Sequence, residues 1–148
     1  MMLVQHILED AQRRLAVLSR EACVGDAAKI LVNASTPLVV VCDSDGVAVG
    51  VVSRTDVIRA LSRANGDAFN TSAEAIMTTP MHSCHVDETL QSVWATIGAR
   101  RLRCAPVLDN SRRPQGVVHA RDVARALLEE VENEEGLLRD YVLGVGYQ

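Results

Sequence analysis

The stretch from Gly50 to Asp56 reads Gly-Val-Val-Ser-Arg-Thr-Asp, which places two hydroxyls, a guanidinium and a carboxylate on four consecutive residues. The apolar start is typical of a strand, and the polar residues then begin a helix. Backbone N–H groups at a helix start attract phosphate, and Ser53, Arg54 and Thr55 would add donors. An ionised Asp56 can accept from both hydroxyls of a ribose. The segment therefore predicts a site for a phosphorylated sugar.

The same spacing also fits a purely structural role. Ser53 and Asp56 are three residues apart, as in a capping box, where they would satisfy free N–H groups of the first helical turn and contribute about 1 kcal/mol. From this segment alone both interpretations stay open.

A second copy of the segment lies 66 residues further on, from Gly116 to Asp122. It keeps the aspartate, but His119 replaces the serine. An aspartate that persists without its capping partner favours a ligand role, although a favourable contribution of Asp122 to the helix dipole is the alternative.

The elements that position these two segments repeat as well. At the same offset, apolar residues recur at i, i+3, i+4 and i+7 from Val24 and again from Leu90, which predicts one amphipathic helix in each copy. Strand, turn, strand and helix follow in both copies, so the predicted order is β-α-β-β-α twice. The predicted elements are helices at 24–31 and 90–97, strands at 38–41, 47–52, 104–108 and 115–118, helices at 55–64 and 121 to about 134, and short extended pieces near Val17 and Ser83.

This order, with Ile76-Met77-Thr78 opening the second copy and Ala105-Pro106-Val107-Leu108-Asp109 at its middle strand, resembles a tandem pair of CBS domains from about Ile7 to Glu130. The resemblance implies an α/β fold in which two repeats pack pseudo-symmetrically through their sheets, with flanking N- and C-terminal helices. We expect a first repeat with its N-terminal helix at 1–67, a linker at 68–75, a second repeat at 76–134 and a C-terminal tail at 135–148.

The resemblance further implies a stand-alone regulatory module that binds AMP, ADP, ATP or a related adenosyl ligand in two clefts between the repeats. It also implies a homodimer, a regulated partner protein, no required cofactor and no catalytic residue. His85 and His119 would make binding at the second cleft vary between about pH 5.5 and 7.5. The ligand-binding residues it implies are Asp56, Ser53, Arg54, Thr55, Leu18, Ser19 and Val39 in the first cleft, and Asp122, His119, Arg121, Cys84, His85 and Ala105 in the second.

Two other functions compete with nucleotide binding. One is a ligand-free dimerisation module; the other is a metal or redox sensor built on Cys84, His85 and Cys104. The repeat argues against the sensor, because three of the four cysteines fall on leucines of the other copy and therefore behave as small core residues. We expect no metal site and no disulfide. The Gly-x-Ser-x-Gly pattern of hydrolases is also absent from the sequence, so we expect no enzyme.

The net charge and the length of the apolar runs argue against nucleic acid and membranes as partners. A net charge of −4 gives no basic surface of the kind that binds nucleic acid. No apolar run reaches the ~20 residues that a bilayer requires, and the N-terminus carries no signal-type stretch, so we expect a cytoplasmic protein without membrane contact.

Overall fold

The computed structural model of the protein describes residues 1–63 and 67–146, with side chains up to residue 143. Residues 64–66, which include the last residue of the predicted helix 55–64, and the last two residues of the predicted tail lie outside this description. The helices are α1 (Leu8–Arg13), α2 (Val24–Leu31), α3 (Arg54–Arg63), α4 (Ala73–Ile76), α5 (Leu90–Arg100) and α6 (Ala120–Gly146); the strands are β1 (Val17–Ser19), β2 (Leu38–Cys42), β3 (Ala48–Ser53), β4 (Cys104–Leu108) and β5 (Pro114–His119). Short 3-10 turns cover Val4–Ile7 and Ala68–Asn70.

The first repeat contains a three-stranded sheet in which β2 pairs parallel to β1 and antiparallel to β3. All five residues of β2 are buried, so this strand has core on both faces. Val39 and Val41 pack with α2, whereas Val40 faces the second repeat.

The second repeat has the same order of elements, but its first strand is reduced to one parallel bridge between Cys84 and Val107. The cause is Pro106. In the first repeat the Val40 N–H donates to the Ala16 carbonyl at 2.9 Å, and Pro106, which is equivalent to Val40, has no N–H to donate. The pairing predicted near Ser83 is therefore shorter than in the first copy.

The two repeats pack through their sheets, as predicted. Leu38, Val40 and Cys42 of β2 form one buried cluster with Leu108 of β4 and Val117 of β5. Separate clusters lie under the helices of each repeat. Because the chain has few aromatic residues, these cores consist mainly of valine, leucine and alanine.

The segment before β1 covers the second repeat, and the segment before α5 covers the first repeat. Helix α1 packs on β5, where a Cβ on Gly116 would lie 2.8 Å from the backbone carbon of Ala11. Likewise, Thr78 pairs with Val51 of β3, and a Cβ on Gly50 would lie 2.6 Å from the sulfur of Met77. The N-terminal helix that the sequence assigns to unit 1–67 thus contributes to the core of the second repeat. The unit boundaries themselves stay a prediction.

Helix α6 continues to Gly146, well beyond the end predicted near Glu134. The extension contains no proline, and each of its three glycines, at positions 136, 144 and 146, costs only about 1 kcal/mol relative to alanine. Its apolar side chains, including Leu137, Leu138 and Tyr141, are exposed. No helix in the described part of the chain has the length and apolar character needed to cross a membrane.

Candidate functional site

Both sequence segments open onto one cleft of about 800 Å³ between the repeats. The cleft lies where β3 runs into α3 and β5 runs into α6, so the N-termini of two helices border the same space. Such termini favour anions, because their first N–H groups have no partner within the helix. The lining residues are Arg14, Ala34, Ser35, Pro37, Leu38, Val51, Ser53, Arg54, Thr55, Asp56, Thr78, Met81, His82, Arg101, Leu102, Arg103, Cys104, Pro106, His119 and Arg121.

Asp56 is buried at the first turn of α3 and forms the predicted capping box with Ser53. Its Oδ2 accepts from the Ser53 N–H at 2.9 Å and from the Ser53 hydroxyl at 3.1 Å, and the Asp56 N–H donates to that hydroxyl at 3.3 Å. Thr78 donates its hydroxyl to both carboxylate oxygens at 3.2 and 3.3 Å, and Arg59 reaches Oδ1 at 3.4 Å. The shorter contacts thus come from the capping box, whereas the longer ones come from Thr78, which lines the cleft, and from Arg59 of the same helix.

Asp122 is equally buried, but its partner is an arginine. The Arg14 guanidinium, which follows α1, forms an ion pair with the Asp122 carboxylate, and Arg125 lies 4.0 Å away. The persistence of the aspartate without a serine therefore has a structural explanation that the sequence did not show. Arg14 also lines the cleft, so this ion pair stands at its edge.

His119 takes over the capping role of Ser53 in the second repeat. Its Nδ1 accepts the backbone N–H of Arg121 at 3.0 Å, which requires an unprotonated Nδ1. Burial, and then the charge of Arg121, lower the pKa of His119 below its ordinary value. The lowered pKa favours the neutral ring that this hydrogen bond requires.

Arg54 is fixed by backbone carbonyls at the wall of the cleft. Its Nε donates to the Leu31 carbonyl at 2.8 Å, and its Nη2 donates to the carbonyls of Asn33 and Thr36 at 2.8 and 3.1 Å. These bonds tie the end of α2 to the start of α3. Its contact with phosphate stays a prediction. Nη1 is the guanidinium nitrogen that these bonds leave for such a contact.

Six residues predicted to surround the base do not line this cleft: Leu18, Ser19, Val39, Cys84, His85 and Ala105. For two of them the reason is strand alternation. The side chains of Val39 and Ala105 point into the helix-covered cores, whereas their neighbours Leu38, Cys104 and Pro106 face the cleft. Only backbone atoms of Val39 or Ala105 remain for a ligand. His85 instead caps a loop, where its Nδ1 accepts the Asp87 N–H at 3.2 Å.

Several cleft residues were missed from the sequence because they come from outside the repeated segments. Arg14 follows α1, and Thr78 follows α4, so both lie outside the segments 50–56 and 116–122. Arg101 and Arg103 flank the turn between α5 and β4, and Arg101 adopts a left-handed backbone with φ of 54°. Spacing along the chain gives no signal for residues that only the packing of two repeats brings together.

All four cysteines are free thiols, and that of Cys23 donates to the Asp26 carboxylate at 3.3 Å. Burial raises the pKa of Cys84 to about 12 and that of Cys104 to about 11, so both remain protonated near neutral pH. Among the described residues, no group of three or more His, Cys, Asp and Glu side chains is arranged to hold a metal ion. Cys84 and Cys104 thus have the properties of buried core thiols of low reactivity.

Comparison with known families matches the CBS domain model twice, over residues 7–63 and 73–129. The chain belongs to the CBS domain family. The two matches coincide with the two structural repeats, so this CBS pair is one in which each repeat supplies one side of the cleft.

Solved CBS pairs share the fold. A CBS-domain containing protein from Agrobacterium tumefaciens is 26% identical with a TM-score of 0.73, and the match covers 84% of this chain and 98% of that one. The CBS domain pair of protein MJ0100, solved with 5′-methylthioadenosine and S-adenosyl-L-methionine, is 25% identical with a TM-score of 0.74 and coverage of 88% and 98%.

Among curated proteins, L-aspartate semialdehyde sulfurtransferase of Methanocaldococcus jannaschii is 29% identical over 100 residues, which are 68% of this chain and 19% of that protein. The chain therefore matches only about a fifth of that relative. An uncharacterized 17.7 kDa protein of Acidianus ambivalens is 25% identical over 136 residues, with coverage of 92% and 81%.

Proposed function

We propose that this CBS pair is a regulatory module that binds an adenine nucleotide or a related adenosyl ligand in the cleft between its repeats and signals to a partner protein. The observation that carries the proposal is the convergence of both helix-start segments on one cleft. Two helix N-termini, the hydroxyls of Ser53 and Thr55 and several arginines surround a space large enough for a nucleotide. The MJ0100 pair, solved with two adenosyl ligands, supports the ligand class.

The ribose would bind at Asp56. A carboxylate can accept hydrogen bonds from both ribose hydroxyls, and here its longest contacts, to Thr78 and Arg59 at 3.2 to 3.4 Å, are the ones a ligand would replace. The shorter bonds from Ser53 would stay in place and keep the carboxylate oriented. Capping and ribose binding are therefore compatible roles of the same side chain.

The module would act as a homodimer. The outer helices carry apolar side chains that the single chain leaves exposed, among them Ile58 of α3, Trp94 of α5 and Leu128 of α6. Helices of both repeats thus present apolar surface that a second copy would cover. If a ligand shifts one repeat against the other, that movement would change the dimer surface.

The test is substitution of Asp56 with a matched control in the second repeat. Asp56→Asn keeps the shape and an oxygen acceptor but loses the charge, and we expect a roughly thirty- to hundredfold loss of affinity for AMP or ATP, which corresponds to ~2–3 kcal/mol. Asp122→Asn, at the equivalent position, should cost much less affinity, because that carboxylate is paired with Arg14. Isothermal titration calorimetry measures both, and equal affinity of Asp56→Asn and wild type would rule out the ribose role.

A further inference from the structure

The two walls of the cleft differ in charge at equivalent positions. On the first repeat the lining includes Ser35, Pro37 and Thr55. At the offset of 66 residues, the second repeat carries arginines in their place: Arg101, Arg103 and Arg121. All six side chains line the cleft, so one wall is neutral and the opposite wall is cationic.

The charge of the cleft is opposite to that of the protein. Five arginines line it, and Asp56 is its one lining carboxylate among the described residues. Because Arg14 is paired with Asp122, the cleft has three formal positive charges in excess, in a chain whose net charge is −4. A concave surface with charge of one sign concentrates ligands of the opposite sign.

The three arginines of the second wall are available to a ligand. Arg54 is bound to backbone carbonyls and Arg14 is paired with Asp122. Across residues 1–63 and 67–146, by contrast, Arg101, Arg103 and Arg121 form no ion pair. The Ala120 N–H donates to the Arg103 carbonyl at 2.7 Å, which fixes the turn that carries Arg103 against the start of α6 that carries Arg121.

We propose that the second wall binds a polyphosphate chain, so that the physiological ligand is a nucleoside triphosphate rather than a monophosphate or a sulfonium compound. With ribose at Asp56 of the first repeat, the phosphates beyond the first extend across the cleft to Arg101, Arg103 and Arg121. Guanidinium groups bind phosphate oxygens through charge-assisted, often bidentate hydrogen bonds. The sulfonium of S-adenosylmethionine would instead be repelled by this wall. This inference rests on the proposed nucleotide function.

The experiment compares ligands on the full-length chain by isothermal titration calorimetry at one ionic strength. The probes are ATP, AMP, S-adenosylmethionine and inorganic tripolyphosphate. We expect ATP to bind at least about tenfold more tightly than AMP, and S-adenosylmethionine to bind more weakly than either. The variant Arg101→Gln/Arg103→Gln should lower the affinity for ATP about tenfold while changing that for AMP less than about threefold. Arg100→Gln, an exposed neighbour that does not line the cleft, is the matched control and should leave both affinities unchanged.

The outcomes separate this inference from the proposed function. Equal affinities for ATP and AMP, or equal losses of both in the double variant, overturn the polyphosphate wall and leave nucleotide binding intact. Binding of tripolyphosphate without any nucleotide supports the wall and overturns the adenosine site. Failure of all four probes to bind overturns both. Exposed arginine-to-glutamine changes leave the fold intact, and thermal melts of each variant verify this.

Discussion

The two aspartates at equivalent positions of the repeats have different surroundings, although both are almost completely buried. Asp56 is held by hydroxyls and a backbone N–H, and its nearest guanidinium is 3.4 Å away on its own helix. Asp122 is neutralised by Arg14, which comes from the segment before the first repeat. Asp56 therefore has hydroxyl partners and one long ion pair with the exposed Arg59, and it can exchange these weak contacts for a ligand. An ion pair makes the second one part of the structure that holds the repeats together.

The largest effect is expected from Arg14→Ala. Removal of one member of a mostly buried ion pair leaves the Asp122 charge without compensation, so the free energy of unfolding should fall by about 3 kcal/mol. For a chain of this length that lowers the melting temperature by roughly 6–12 °C. Thr78→Val removes the equivalent contact at Asp56, where Ser53 remains, and should cost only about 1 kcal/mol.

Both variants are compared by urea denaturation at pH 7. If Arg14→Ala and Thr78→Val cost the same, the contrast between a structural and an available aspartate is wrong. A double variant, Arg14→Ala/Asp122→Asn, should recover part of the lost stability, because the uncompensated charge is then absent.

The next largest loss of stability is expected at the two glycines that contact the other repeat, Gly116 against Ala11 and Gly50 against Met77. In Gly116→Ala the new Cβ would overlap backbone atoms of Ala11 at 2.8 to 3.0 Å, so α1 must move, at a cost of about 2 kcal/mol. In Gly50→Ala the two closest atoms belong to the flexible side chain of Met77, which can turn aside, although the Thr78 carbonyl lies at 3.0 Å. We expect about 1 kcal/mol there. Thermal melts of the two variants measure the difference. A larger loss of stability for Gly50→Ala would contradict the greater rigidity of the contact between Gly116 and Ala11.

The smallest effect is a pH dependence that His119 introduces and Ser53 does not. Because burial lowers the pKa of folded His119 below its unfolded value, the unfolded state binds more protons as the pH falls through 6.5, and folding stability falls with it. Protonation would also remove the cap that Nδ1 provides to the Arg121 N–H. Since the histidine is only partly buried, the change should be modest.

His119→Ser restores the cap of the first repeat and is the matched variant. Melting temperatures measured from pH 7.5 to 5.0 should decline less steeply in His119→Ser than in wild type. Parallel curves would show that another group causes the pH dependence. The window expected for ligand binding, pH 5.5 to 7.5, should accordingly move to lower pH for His119.

The sequence by itself determined the repeated architecture, because periodicity is a local property of the chain. Apolar spacing around Val24 and Leu90 predicted α2 and α5, and the valine-rich runs predicted β2 and β4. The capping box at Ser53 and Asp56 was likewise readable, since both partners lie within one helical turn. These predictions depend on contacts between residues that are close in sequence.

Only the tertiary structure decided what surrounds the two aspartates and the cleft. Arg14 contacts Asp122 although more than a hundred residues separate them in the sequence. Thr78 contacts Asp56 because the segment before α5 covers the first repeat. Arg101 and Arg103 form a cationic wall only because both repeats border one space. Packing of two sheets brings these groups together, and residue spacing along one chain carries no information about that packing.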